Sequence, residues 1–379
     1  MFLFISFLTI VAFTTTLIVT YFVKNWAIRN DLVDNPQKRK HPAQIHKGSI
    51  PRAGGLALLI GLCVPILFFL PISKTLVGIL LGASITVIIG LIDDWKDVNP
   101  YIRFIGNIIS ALCVVAVGVS IPFINNPFNG IIDLTTLQFS FDLFGARTIV
   151  LFADIIALVF IVWTMNVVGW SSGVDGQLPG FTAIAAFVLG ILSLRFTAHD
   201  ISQWIVTALA FVTMGSFLGF LPWNFYPQKI MPGYGGKTLA GFLLATLSIL
   251  SGAKVGTMIL VLGLPMTDAL FTILRRVGKG KSPVWADRGH LHHKLLDRGW
   301  SVKKIAVFYW IVAASLGLVA LTVSSQNKVF ILLTLVAVVG GVMLWLNKAQ
   351  DEFTPIKSGL TQTSQRNGLK SNPQSRQKG

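Results

Sequence analysis

Apolar runs of about the length of a bilayer-spanning helix, each bounded by charges, proline or glycine, recur along this chain almost from its first residue. A hydrocarbon core about 30 Å thick needs roughly 20 mainly apolar residues per helix. On that measure the chain predicts eleven spans, over approximately 2–23, 55–71, 76–92, 104–122, 149–168, 178–196, 204–222, 238–253, 255–274, 304–324 and 328–347. The eighth, from Thr238 to Ala253, is short and is separated from the ninth by Lys254 alone, so these two can instead form one broken or re-entrant element. The first run has no basic residue before it and no small-residue cleavage site after it, so it is expected to stay as a span.

The polar segments between the runs alternate in charge. With the N-terminus outside, the inward segments hold 26 of the 31 Lys and Arg residues, and the outward ones hold Lys74, Arg147, Arg195, Lys254 and Lys328. By the positive-inside rule the expected topology is N-out, C-in. The fold class is therefore an all-α integral membrane protein of about eleven transmembrane helices, with its working loops in the cytoplasm. The longest outward segment, roughly Phe123 to Thr148, contains Asn-Gly and alternating stretches such as Leu137 to Phe141, which suggests a small extracytoplasmic hairpin. Residues 1–350 form the polytopic unit; 351–379, rich in Ser, Gln, Asn, Lys and Arg, are expected to be a disordered basic cytoplasmic tail.

Composition agrees with that division. At 53% apolar and 12% charged, the chain has about half the charged fraction of a soluble domain. The formal net charge of +16 raises nucleic acid as a partner, but the basic residues lie between apolar runs, where they mark cytoplasmic edges, so no nucleic acid is expected. Cys63 and Cys113 both fall inside apolar runs without metal-ligand spacing and read as packing residues.

Groups capable of chemistry gather in the inward loops. The third span ends in Asp93 and Asp94, with Asp97 one turn later, in a chain with only 15 acids. Adjacent carboxylates repel unless a cation lies among them, and Mg²⁺ takes carboxylate oxygens together with substrate phosphates. A solvated helix end is the plain alternative. Between the ninth and tenth spans lie Asp287, Arg288, Gly289, His290, His292 and His293, a clamp for an anionic substrate that positive-inside anchoring does not explain, because it accounts for Lys and Arg but not His. In the first loop, His46, Lys47 and Arg52 precede Gly54 and Gly55 at a helix entry suited to phosphate. The fifth span ends at Asn166, followed by a Gly-rich turn carrying Asp175. Asp154 and Asp268 lie within spans; Asp154 is expected to pair structurally, and Asp268, nearer the inner face, to support the site. Carboxylates, basic His-rich loop and Gly turns meeting at the membrane surface suit phosphoryl transfer, where catalysis is positioning and charge neutralisation.

These residues resemble the polyprenyl-phosphate N-acetylhexosamine-1-phosphate transferases, whose members include the bacterial undecaprenyl-phosphate GlcNAc-1-phosphate transferases. The similarity runs from about Asp31 to Trp300 and rests on His46-Lys47-Gly-x-x-Pro51-Arg52-x-Gly54-Gly55, Asp93-Asp94-x-x-Asp97, and Asp287-Arg288-Gly289-His290-Leu291-His292-His293. It implies transfer of a sugar-1-phosphate, such as GlcNAc-1-phosphate, from a UDP-sugar to undecaprenyl or another polyprenyl phosphate, with release of UMP. The step would initiate a cell-envelope glycan at a bacterial cytoplasmic membrane. It further implies Mg²⁺, with Mn²⁺ as a substitute, held by Asp93, Asp94 and Asp175. Asp93, Asp94, Asp97 and Asp175 would then be the catalytic acids, and His46, Lys47, Arg52, Asn166, Arg288, His290, His292 and His293 would bind substrate. A homodimer is left open.

The chain departs from the family's pattern in two motifs. The family's Asn-x-x-Asn-x-x-Asp-Gly-x-Asp-Gly stands here as Asn166-x-x-Gly169-x-x-Ser172-Gly173-x-Asp175-Gly176, without one Asn and one Asp. The family's Gly-Asp-Ser-Gly-Ser, whose Asp ligates the metal, stands as Pro232-Gly233-Tyr234-Gly235-Gly236. Three readings therefore stay open: an active transferase with a rearranged metal site, a non-catalytic relative that binds polyprenyl phosphate, and an unrelated membrane transporter or scaffold.

Overall fold

The computed structural model describes residues 1–37, 48–126, 130–142, 146–197, 203–252, 254–282, 287–324 and 326–346. All eleven expected spans fall on helix. In order come α1 (Phe2–Arg29), α2 (Gly54–Phe69), α3 (Lys74–Lys96), α4 (Pro100–Val115), α5 (Leu151–Trp170), α6 (Gln177–Thr197), α7 (Gln203–Asn224) and α8 (Gly233–Leu250). The ninth span is two helices, α9 (Val255–Val261) and α10 (Gly263–Val277), bent by 79°. A short α11 (Leu291–Asp297) precedes α12 (Val302–Thr322) and α13 (Gln326–Leu346). The chain leaves helix between Leu250 and Val255, around Lys254, and the 79° bend lies further on, inside the ninth span. Pro265 explains it: the proline has no N–H for the carbonyl of Val261 four residues earlier, so the first helix stops there.

Among the described residues seven helices are long and apolar enough to cross a bilayer, α1, α3, α5, α6, α7, α12 and α13, or eight with the bent pair taken as one. That is fewer than eleven. α2 and α4 have 16 residues each, about 24 Å of helix against a core of about 30 Å. α8 has another reason: it packs against α2, α3, α4, α5, α6, α7 and α9, and its residues from Thr238 to Ile249 are all buried. A helix sheathed by protein has no lipid-facing stripe to fill with large apolar groups. The outer helices do, and Leu3, Phe68, Leu318 and Leu333 stand exposed on them. The protein is thus a helical multi-pass membrane protein.

The end of α3 meets the start of α8 because both are stripped of side chains there. A Cβ on Gly90 would run into the backbone of Gly235. Such contacts let helix axes approach more closely than larger residues allow. This crossing brings the last turn of α3 against the first turn of α8.

The strands are few. β1 (Val33–Asp34) pairs antiparallel with β2 (Ile50–Pro51) at the entry to α2. The expected outward hairpin is two hairpins, β3 (Phe123–Asn125) with β4 (Ile131–Asp133) and β5 (Gln138–Asp142) with β6 (Ala146–Val150). Asp154 closes this region onto α5, accepting the Val150 N–H at 3.0 Å, the structural role expected of it. The cysteines are both free. The basic tail 351–379 lies outside the described residues.

Candidate functional site

Asp93 and Asp94 occupy the last turn of α3 and are both buried. Each has a guanidinium of its own. Asp94 Oδ1 lies 3.0 Å from Arg52 Nη2 and accepts the backbone N–H of Tyr234, in the first turn of α8, at 3.1 Å. Asp93 Oδ1 lies 3.4 Å from Arg103 Nε and accepts the Val98 N–H at 3.0 Å. Arg103 also lies over the Tyr234 ring, 5.4 Å from its centroid, and the Tyr234 hydroxyl accepts from Asn107 at 3.1 Å. Asp97 takes a different path. α3 ends at Lys96, and Asp97 is its C-cap in a left-handed conformation (φ 51°), exposed, its N–H returned to the Asp93 carbonyl at 2.9 Å.

Gly233 opens α8 against this pair. Its φ is +68°, the region that disfavours a Cβ, and a Cβ there would collide with Asp94 Oδ2 and stand 2.8 Å from the Arg52 carbonyl. The position where the family's pattern carries an Asp is therefore in the site but has no room for a side chain. One turn on, Lys237 is half-buried, and Asp94, Asp34 and Asp93 are its opposite charges.

The turn after α5 closes the other side. Asp175 is buried and accepts the Gln228 N–H at 3.1 Å. Asn224 ties the same turn to the loop before α8, accepting from Gly176 N–H and donating to Gln228 and to the Ile230 carbonyl. Ser172 donates its hydroxyl to the Gly169 carbonyl at 2.6 Å. Asn166 donates to the Val162 carbonyl of its own helix at 2.7 Å.

The histidines lie at the start of α11. Asp268, buried on α10, holds the segment by accepting the Leu291 N–H at 2.8 Å and lying 2.9 Å from His290 Nδ1. His290, His292 and His293 form a run of rings, with centroids 5.8 Å and 4.3 Å apart, and Trp170 stacks on His290. The His292 ring stands against Gly173, where a Cβ would collide with it. Nδ1 of His292 and of His293 is buried without a hydrogen-bond partner among the described residues. Burial, with His293, His290 and Lys237 beside it, pushes His292 well below the usual imidazole range, and burial with Arg288 and His290 pushes His293 down to about 4. Both rings are neutral near pH 7. Asp287 is braced by Arg275 at 2.9 Å and Arg276 at 2.8 Å; against the effect of burial, these and the Gly289 N–H bring it down to about 2. Arg288 is exposed and paired with Asp297 at 3.0 Å.

Asp93, Asp94, Asp175, Arg52, His290, His292 and His293 thus gather at one end of the bundle, and Asp97, Arg288 and the Asn166 amide are engaged elsewhere. His46 and Lys47 lie outside the described residues. The sequence reading missed Lys237, Arg103 and Tyr234. Lys237 had a signal, since it follows directly on the Gly-rich stretch that departs from the family's pattern.

Among the described residues no three His, Cys, Asp or Glu side chains converge as a metal-binding group. Asp93 and Asp94 each face a guanidinium, and Asp175 is turned to Gln228. As arranged, this donor set does not fit a carboxylate-held Mg²⁺ or Mn²⁺.

Fold and site together define a polytopic membrane protein with a buried, cation-rich polar site at one end of its bundle, suited to an anionic substrate. Residues 76–252, from α3 through α8, match the model of glycosyl transferase family 4. It is 28% identical to the probable undecaprenyl-phosphate N-acetylglucosaminyl 1-phosphate transferase of Bacillus subtilis (strain 168), over 91% of this chain and 94% of that protein. It is 28% identical to the decaprenyl-phosphate N-acetylglucosaminephosphotransferase of Mycolicibacterium smegmatis, over 80% and 79% of the two chains. To the undecaprenyl-phosphate alpha-N-acetylglucosaminyl 1-phosphate transferase of Escherichia coli (strain K12) it is 27% identical, over 80% of each.

Proposed function

We propose that this protein transfers N-acetylglucosamine-1-phosphate from its UDP-activated form to a polyprenyl phosphate in the membrane, releasing UMP. An oxygen of the lipid phosphate bonds to the sugar-bearing phosphorus. The bond from that phosphorus to the oxygen of UMP breaks, and its electron pair leaves with UMP. The observation that carries the reading is the meeting of a guanidinium-paired acid pair with two buried histidines whose ring nitrogens lack a described partner, in a membrane protein similar over nine-tenths of its length to such a transferase.

Each part of the site has a job in that chemistry. Arg52 offers a planar fork that matches phosphate oxygens, and Asp94 orients it. A phosphate monoester loses its second proton near pH 6, so the lipid acceptor is already nucleophilic at neutral pH and asks positioning more than deprotonation of the protein. His292 and His293, neutral and buried, can donate to or accept from the diphosphate or the uridine without adding charge. His290, held by Asp268, sets the ring run in place. Asp175 fixes the turn that backs His292.

The eleven helical segments are taken to cross or enter the bilayer with the N-terminus outside and the C-terminus inside, which puts the site on the cytoplasmic face; the support is the 26 of 31 Lys and Arg residues on that side. The test is UMP release and lipid labelling by the purified chain given undecaprenyl phosphate and radiolabelled UDP-GlcNAc, with Asp94→Asn beside it. Product that the variant loses is the expected result. Lipid phosphate bound without product from any UDP-sugar would make the chain a non-catalytic relative.

A further inference from the structure

The acid pair and its surroundings raise a question of charge. Asp94 gives Oδ1 to Arg52 and to the Tyr234 N–H, and Asp93 gives Oδ1 to the Val98 N–H with Arg103 at 3.4 Å. A divalent ion on Asp94 would have to displace or share space with a guanidinium that cannot lose its charge, and Mg²⁺ tolerates little departure from octahedral geometry. The neighbouring positions do not make up the missing ligands. Gly233 has a left-handed backbone and no space for a side chain. Ser172, the other place where the family's pattern carries an acid, spends its hydroxyl on the Gly169 carbonyl.

Cations stand where those acids are missing. Lys237 lies one turn into α8, its stem facing Gly169 so that a Cβ on that glycine would sit 4.0 Å from the Lys237 Cβ. Asp94, Asp34 and Asp93 are its opposite charges, Arg52 its like one, and His292 lies within its field. No described residue takes a hydrogen bond from its ammonium, which leaves three donors to offer. Arg52, 14% exposed in its side chain, holds Asp94 by one nitrogen of its fork. Two cations beside a buried acid, with the His292 ring against the same Gly-rich turn, form an anion cradle rather than a metal cradle.

We propose that Arg52 and Lys237 are a phosphate-binding pair that does the charge-neutralising work of a divalent metal here, so that this chain binds the phosphates of its substrates without one. The proposal rests on the transferase reading for the identity of those substrates. The transfer itself is balanced as written above and needs no further reactant. Lys237 touches the phosphate; Asp94 positions Arg52 and keeps the pair from repelling itself apart.

The test uses the full chain in detergent, stripped with EDTA. Binding of UDP and, separately, of undecaprenyl phosphate is measured in EDTA and in Mg²⁺, for the wild type, Lys237→Met and Lys237→Arg. UMP release from UDP-GlcNAc is followed under the same conditions. Expected are wild-type affinities that differ by less than about threefold between EDTA and Mg²⁺, and a loss of about tenfold or more in Lys237→Met that Lys237→Arg largely restores. Loss confined to UDP would assign the pair to the nucleotide diphosphate, and loss confined to the lipid would assign it to the acceptor; either supports the pair. Binding of both ligands abolished by EDTA and restored by Mg²⁺ overturns it, and the wild-type arm decides this even if Lys237→Met fails to fold. Unchanged binding of both ligands in a folded Lys237→Met overturns it equally. UMP release that appears only with Mg²⁺ would leave the transferase reading standing and sink this one. No UMP release under any condition, with binding that ignores EDTA and needs Lys237, would do the reverse.

Discussion

Asp93 and Asp94 end a long helix with a guanidinium on each, whereas His292 and His293, on a helix of seven residues, keep buried ring nitrogens with no described partner. One half of the site, its acids already paired with cations, is closed to a metal before any substrate arrives. The other is open, and it is held open by groups behind it: Asp268 on His290 and the Leu291 N–H, and Arg275 and Arg276 on Asp287. The contrast separates two ways of storing binding capacity. Buried ion pairs cost much to break from one side and little to replace whole, while an unpartnered buried nitrogen already bears its desolvation cost and regains it when a ligand bonds to it.

The largest effect should come from breaking the closed half. Asp94→Asn keeps the shape but leaves Arg52 facing an amide; UMP release should fall at least about 100-fold, the scale of losing one preorganised electrostatic contact. Leaving one partner of a buried pair uncompensated costs about 3–5 kcal/mol, so the unfolding midpoint should fall as well. Adding Arg52→Met should recover much of the stability and none of the activity. A double variant no more stable than the single would mean that the pair is not what Asp94 contributes. In the open half, His292→Ala should also cut UMP release, by about 10–100-fold, with a smaller drop in unfolding midpoint than Asp94→Asn because no charge is orphaned. Equal drops would erase the distinction between the halves.

Much of this was legible in the chain, and the exceptions have physical reasons. The Asp93–Asp94 pair and the histidine segment stand out because acids are scarce and positive-inside anchoring does not call for His. Their pairings do not, because Arg52, itself a candidate from the sequence, lies far from Asp94 along the chain and only the crossing of α3 with α8 brings the Tyr234 N–H to it. Asp97 reads as a third acid of the cluster one turn on, and a straight helix would keep it so; the chain turns left-handed there and leaves it at the surface. Lys237 passed for one more loop charge. Its place in the site follows from α8 being the enclosed helix, and that enclosure also explains why α8 gives a weak span signal.

Between the two halves, Gly233 offers an intermediate effect. Gly233→Asp would restore the acid that the family's pattern carries, but at φ +68° an L-residue costs about 1–2 kcal/mol and its Cβ would press on Asp94. A lowered unfolding midpoint, with no gain in Mg²⁺ affinity by titration, is expected. A variant as stable as wild type that binds Mg²⁺ tightly would show that the closed half can open to a metal.

The smallest effect is a pH dependence that belongs to the open half. In the unfolded chain His293 takes up a proton near 6.5; in the folded protein burial, Arg288 and His290 delay that to about 4. Between those values the unfolded state binds more protons, so stability must fall as pH drops from 6.5 toward 4, with the contribution fully present above 6.5 and gone below about 4. Asp287, held down to about 2 from 3.8, acts in the same direction but only below 3.8, so the two windows do not overlap. His292 is shifted the same way as His293, and the two together should give a sloping unfolding midpoint between pH 6.5 and 4.5. Replacing His293 with Gln should flatten part of that slope while leaving the fall below pH 3.8 in place. A wild-type midpoint that is level from pH 7 to 4.5 would mean that the rings are solvated enough to titrate normally, and the open half of the site would then be open to water rather than reserved for a ligand.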